Sequence, residues 1–217
     1  MARRLRGAVG MVKVGSQLFT AEGPAIVRQL HALGFGIFLD LKFHDIPNTV
    51  AGAIQSVKAL PGIKLATLHT LGGLEMMKAA SQAARRGKAG VKLLGVTILT
   101  SHDDTTLRQA GIEGPPANAA VRLAKLAKQA GLDGVVASAH ELQAIRRACG
   151  PRFLIVVPGI RSQDDAANDQ SRIATPTRAI QAGADYLVIG RPITRASDPK
   201  QATLKIAREI DSARRRR

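Results

Sequence analysis

A chain of 217 residues can bury a sizeable core and fits a single domain over 1–217, with Arg214–Arg217 as a basic tail. The net charge is +16, yet the basic residues are spread over the helical segments, and one Tyr, no Trp and five Phe supply no platform for stacking bases. A solvated Arg-rich surface that steers an anionic substrate accounts for the charge better than a nucleic-acid partner does. No apolar run approaches a membrane span, the basic start lacks an apolar segment behind it, and the single Cys149 agrees with a reducing cytoplasm.

Apolar runs recur along the chain, each followed by a segment with helical spacing. Gly10–Val14 is the first predicted strand, with a helix over Gly23–Leu33. Gly36–Leu41 is followed by Thr49–Leu60, Leu65–His69 by Leu74–Arg86, and Val91–Leu99 by Ala117–Ala130. Gly134–Ala137 precedes Glu141–Ala148, Phe153–Val157 precedes Thr177–Ala182 by a longer stretch, and Tyr186–Ile189 leads to Pro199–Ala213. Strands that are apolar throughout and alternate with helices predict a buried parallel sheet. Seven such units with no doubly wound phosphate fingerprint predict an α/β fold, a (β/α)8 TIM barrel whose first βα unit is largely missing.

The polar residues fall at or just after the strand ends, where a barrel keeps its active site. Lys13, Asp40 with Lys42, His69, Thr100, Arg161 and Gly190-Arg191 all do so. Asp40-Leu-Lys-Phe-His-Asp-Ile-Pro-Asn-Thr49 is the densest segment. Alternation along a strand points Asp40 and Lys42 the same way, about 7 Å apart, and Asp45 lies beyond, in a loop stiffened by Pro47. Opposite charges at a strand end are costly to bury, so the pair is either an ordinary salt bridge or a catalytic site. The second carboxylate and the nearby Lys13 favour the site.

Tyr186-Leu-Val-Ile-Gly190-Arg191-Pro192 offers a strand, a Gly that lets a ligand approach the backbone, a cation and a helix start, which suits a phosphate. A plain strand-to-helix turn is the bland alternative, and Val157-Pro-Gly-Ile-Arg161 one strand earlier favours the phosphate. His31 and His140 read as surface or core residues, Met76-Met77 as core filler. His69 is open between packing and a supporting role. Asp103 or Asp104 reads as a helix cap rather than a metal ligand.

The segment 40–49 resembles the active-site signature of the orotidine 5′-phosphate decarboxylases in their short bacterial form. Val12-Lys-Val-Gly15, Leu18-Phe19, Glu22-Gly-Pro24, Leu99-Thr-Ser101, Pro158-Gly-Ile-Arg161, Gln170 and Gly190-Arg-Pro192 resemble the family in the same order. The resemblance implies cofactor-free and metal-free decarboxylation of orotidine 5′-monophosphate to UMP in pyrimidine synthesis. It makes Lys42 the proton donor to C6, sets Asp40 beside the substrate carboxylate, and gives Lys13 the ribose and the charge network. Asp45 would reach the neighbouring subunit's site in a cytoplasmic homodimer. Leu41, Phe43, His44, Ile46, Pro47, Asn48 and Thr49 would line the site, Thr100 would hold the pyrimidine, and Arg161, Gln170, Gly190 and Arg191 would bind the phosphate.

Related metal-dependent barrels that act on sugar phosphates carry a Glu ligand where this chain has Lys13, and a lysine opposes a cation. The family's first strand, with its Leu-Asp pair, should precede Lys13. Only twelve residues do so, and Arg3–Gly7 reads as a helix end. The expected reading is a start upstream of Met1, the alternative a nucleotide-binding remnant with impaired catalysis.

Overall fold

Parallel strands alternate with helices along the whole length of the computed structural model, which describes residues 1–87, 90–161 and 174–216. The strand order in its seven-stranded sheet is the order of the chain, β1 to β7. That is the βα succession of a TIM barrel. The residues cluster in two compact units, Met1–Val96 with Leu126–Gly134, and Thr97–Lys125 with Val135–Arg217.

The first unit opens with a short helix, α1 (Ala2–Leu5), then β1 (Met11–Gly15) and α2 (Ser16–Ala32). Helix α2 starts earlier than its apolar spacing predicts. Two helical stretches meet at Gly23, whose φ of 59° breaks the helix, and Pro24 opens the second stretch where a missing N–H costs nothing. Next come β2 (Gly36–Phe43), α3 (Pro47–Lys58), β3 (Ile63–His69), a 3-10 turn over Thr70–Gly72, α4 (Gly73–Arg85) and β4 (Lys92–Val96). Pro47 stands at the first position of α3, and Val50, Ile54 and Val57 form its buried stripe.

Strands β1 and β2 pair in simple register, Lys13 opposite Phe38 and Gly15 opposite Asp40. Between β2 and β3 the register breaks: Leu39 faces Ala66, and the next pair is Phe43 with Leu68. Three residues of β2, Asp40 to Lys42, thus stand against Thr67 alone. The even alternation expected of Asp40–Lys42 gives way to a bulge, a device that re-aims side chains beside active sites.

The second unit holds α5 (Asp104–Gln109), most of α6 (Pro116–Gln129), all but the first residue of β5 (Gly134–Val136), α7 (Leu142–Cys149), β6 (Leu154–Val157), α8 (Pro176–Ala182), β7 (Tyr186–Leu187), α9 (Arg191–Thr194) and α10 (Pro199–Arg215). Asp103 caps α5, accepting from the Thr106 backbone N–H at 2.8 Å and from its hydroxyl, and these bonds hold its carboxyl below the usual range. The run Val91–Leu99 is a strand only over β4. At Thr97 the backbone N–H and the hydroxyl both turn to the Val136 carbonyl.

One fastening occurs in each unit. Asp133, just before β5, accepts from the Leu93 N–H at 2.8 Å, while its own N–H donates to the Leu93 carbonyl. Asp185, just before β7, does the same to Ile155 at the start of β6. Each carboxylate rivets the amino end of one strand to the chain entering the next. At Asp185 the rivet is reinforced by Arg146, which bonds its carboxylate at 2.7 Å and donates to the carbonyls of Gly150, Pro151, Phe153 and Gly183. Asp185→Ala takes the counter-charge from Arg146, which keeps its carbonyl acceptors, and leaves the Ile155 N–H without its side-chain acceptor. It is expected to destabilise the protein by roughly 2–3 kcal/mol, read as a lower midpoint in urea with an unchanged slope. A midpoint equal to the parent's would show the rivet to be idle.

Candidate active site

Asp40 is the centre of a charge cluster at the carboxyl end of β2. Its Oδ1 accepts from Lys42 Nζ at 2.9 Å, and its Oδ2 pairs with Lys13 Nζ at 3.3 Å. The Asp40 side chain is 12% exposed, whereas the two lysines keep about a third of theirs in contact with solvent, at 36% and 35%. The carboxylate is therefore a buried anchor, and the ammonium groups are what the cluster presents to solvent. Burial by itself raises the Asp40 pKa. The Lys42 hydrogen bond, the charges of Lys13 and Lys42 and a bond from Thr67 outweigh it, so the group lies below the usual range and stays ionised. Its contribution to stability is present above the unfolded carboxylate pKa and is lost as the pH falls through its own lower value.

Two backbone features shape the cluster. A Cβ on Gly15 would stand 2.8 Å from Lys13 Nζ, so the glycine leaves the amine its path across β1. Lys42 has a φ of 54° and, among the described residues, is the one non-glycine with positive φ. A left-handed residue of this kind costs about 1–3 kcal/mol and persists where the surroundings hold it. They do so here through Thr67, fully buried in β3, which accepts from the Lys42 backbone N–H at 2.9 Å and donates to Asp40 Oδ1 at 3.0 Å. Pattern reading passes over Thr67, because one threonine inside the apolar run Leu65–Leu68 looks like core. A hydroxyl within the otherwise apolar, fully buried run Leu65–Leu68 is the signal that was available.

The remaining residues of the signature continue from the bulge. Leu41 and Phe43 are half-buried in β2, and His44 to Thr49 are exposed. Asp45 Oδ1 accepts from the Ile46 N–H at 2.6 Å, and among the described residues no ion pair joins Asp45 to Lys42 or Lys13. The structure thus brings Lys13, Asp40 and Lys42 together and leaves Asp45 facing outward. The His44 ring stacks on His69 with centroids 5.4 Å apart, and His69 Nδ1 accepts from the Leu71 N–H. His69 thereby supports the segment that leads to Asp45.

Thr100, Arg161, Gly190 and Arg191 belong to the second unit. Thr100 is half-buried in a turn after β4. Arg161 is buried beyond β6; its N–H donates to the Ala174 carbonyl and its guanidinium to the Ile160 carbonyl. Gly190 precedes α9, whose first residue is Arg191 and whose second is Pro192. β6 and β7 are parallel neighbours, so the two arginines follow adjacent strands. Gln170 lies outside the described residues.

The family model described as orotidine 5′-phosphate decarboxylase / HUMPS family matches residues 1–206. The chain is 56% identical over 212 residues to the orotidine 5′-phosphate decarboxylase of Trichlorobacter lovleyi, covering 96% of this chain and 88% of that protein. It is 49% identical to that of Halorhodospira halophila, with 98% and 90% covered. Among solved structures, the orotidine 5′-phosphate decarboxylase of Lactobacillus acidophilus superposes with a TM-score of 0.81 at 41% identity, over 92% of this chain and 86% of that one. The one from Pyrococcus horikoshii OT3 gives 0.77 at 26% identity, over 97% and 91%. Matched by that model over residues 1–206 and related at about half of its positions to these enzymes over nearly its whole length, the chain belongs to the orotidine 5′-phosphate decarboxylase / HUMPS family.

Proposed function

We propose that the protein decarboxylates orotidine 5′-monophosphate to uridine 5′-monophosphate, a carboxy-lyase step of pyrimidine synthesis. The observation that carries this reading is the Lys13–Asp40–Lys42 cluster. Loss of carbon dioxide leaves an electron pair on C6 of the pyrimidine. An ammonium set beside that carbon stabilises the developing charge and then supplies the proton, which is the role given to Lys42. Asp40 keeps the ammonium charged and aimed, and Lys13 neutralises the other carboxylate oxygen while contacting the ribose. Leu41, Phe43 and His44 would line the pocket together with Ile46–Thr49, and Thr100 would hold the base. Arg161, Gln170, Gly190 and Arg191 would grip the phosphate, whose binding energy is used at the reacting carbon.

Asp45 is read as serving the site of a second copy. Its outward position supports this, as do Ile46 and Leu71, which are 66% and 44% exposed and each lie two residues beyond the stacked His44–His69 pair. An apolar surface beside an acid suits a partner subunit better than water. Among the described residues no helix is long and apolar enough to cross a membrane, and the reading places the enzyme in the cytoplasm.

The metal-dependent sugar-phosphate chemistry of related barrels needs a carboxylate free to bind a cation. Asp40 already answers two ammonium groups, so a third positive charge would be repelled. The test is decarboxylation followed by the change in substrate absorbance, with and without EDTA. Equal rates are expected, and turnover that vanishes on chelation and returns with magnesium would overturn the cofactor-free reading. Bound nucleotide with no absorbance change would identify a catalytically dead remnant.

A further inference from the structure

Thr67 has no place in the chemistry just described, yet its hydroxyl touches both halves of the catalytic segment. We infer that Thr67 is a positioning residue, whose single hydroxyl sets the Lys42 main chain and the Asp40 carboxylate in one fixed relation. The inference rests on the reading of Lys42 as proton donor.

Asp40 is ionised and can only accept, so the one hydroxyl proton of Thr67 goes to Oδ1. The oxygen's lone pairs are left for the Lys42 N–H, which reaches it at 2.9 Å. The direction of both bonds is therefore determined. Thr67 sits between Ala66 and Leu68, whose partners in β2 are Leu39 and Phe43, and so stands opposite the bulge. The sheet ladder is interrupted there, and the hydroxyl takes the N–H that the ladder leaves over. Valine has the same shape and would fill this fully buried position, but it would leave the Lys42 N–H without its acceptor and Asp40 Oδ1 without one of its donors. Both hydrogen bonds of the hydroxyl go to site residues, one of them to the strained Lys42. Lys42 Nζ returns to the same Oδ1, which closes a small ring: hydroxyl, main chain, ammonium, carboxylate.

Thr67→Val is expected to lower kcat roughly 10- to 100-fold, the cost of a small misplacement of reacting groups, with KM changed by less than about threefold. The acid limb of the kcat pH profile should move to higher pH, because the carboxylate loses a donor to its charged form. Thr67→Ser should restore most of the rate, and Thr67→Cys, a weak donor of similar size, should fall between Ser and Val. A purely structural hydroxyl would lower the melting temperature without moving the pH profile. Parent-like kcat and pH profile in Thr67→Val would overturn the inference. If that variant does not fold, equal rates for Thr67→Cys and Thr67→Ser would overturn it. Titration of Asp40 in a carboxyl 13C spectrum keeps the two readings apart. A raised Asp40 pKa in Thr67→Val supports the link even where Lys42→Ala still turns over, and an unmoved pKa refutes it even where Lys42→Ala is dead.

Discussion

Lys42→Ala is expected to lower kcat for orotidine 5′-monophosphate by about 10⁴-fold or more, with binding of uridine 5′-monophosphate changed little. Two effects disappear together. The developing charge at C6 loses its nearest cation, and the proton that ends the reaction loses its source. Stability should change little, for three reasons. Lys42 is about a third exposed, Asp40 keeps Lys13 as its partner, and alanine and lysine pay a similar penalty at a φ of 54°. The product carries no carboxylate, so its affinity depends chiefly on the ribose and phosphate contacts. Steady-state turnover and product titration by calorimetry check both halves. A variant that still turns over within about tenfold of the parent would remove Lys42 from the role of proton donor.

The second large effect is a recovery. Asp45→Ala and Lys42→Ala are each expected to be nearly inactive when purified alone. Mixed under conditions that exchange subunits, they should regain about a quarter of the parent activity, since half the dimers then hold both variants and one of the two sites in each is intact. The geometry behind this is the separation of Asp45 from the cluster: it faces outward and bonds its own loop at the Ile46 N–H, while Asp40 lies inside with both lysines. An acid that completed its own subunit's site could not be supplied by another chain. No recovery on mixing, with dimers demonstrated by sedimentation, would confine Asp45 to its own protomer.

The strands were legible because burial on both faces leaves an unbroken apolar run such as Phe35–Leu39, and the helices because α3 and α4 keep their apolar residues on one side. The strand ends were not. Whether Val91–Leu99 stays in the sheet depends on where Thr97 sends its hydrogen bonds, and no local preference encodes that choice. The candidate site divides in the same way. Charges at a strand terminus stand out in a sequence, so Lys13, Asp40 and Lys42 could be assembled on paper. The bulge that sets their geometry arises from pairing with a strand some 25 residues away, and Thr67 shows its function only when that strand is alongside. His69 stayed undecided for a similar reason, because its stacking partner belongs to the preceding βα unit.

The rivets at Asp133 and Asp185 bear on how this protein can be altered. Each fastens strands at their amino ends with one carboxylate and main-chain groups, so it asks nothing of the side chains that follow the carboxyl ends. Substitutions at one end of the strands spend stability and spare turnover, and those at the other end do the reverse. A library that holds Asp133, Asp185 and Arg146 constant while varying the residues after each strand would sample new chemistries on a frame that still folds. One that does the opposite would yield mostly insoluble chains with an intact active-site sequence.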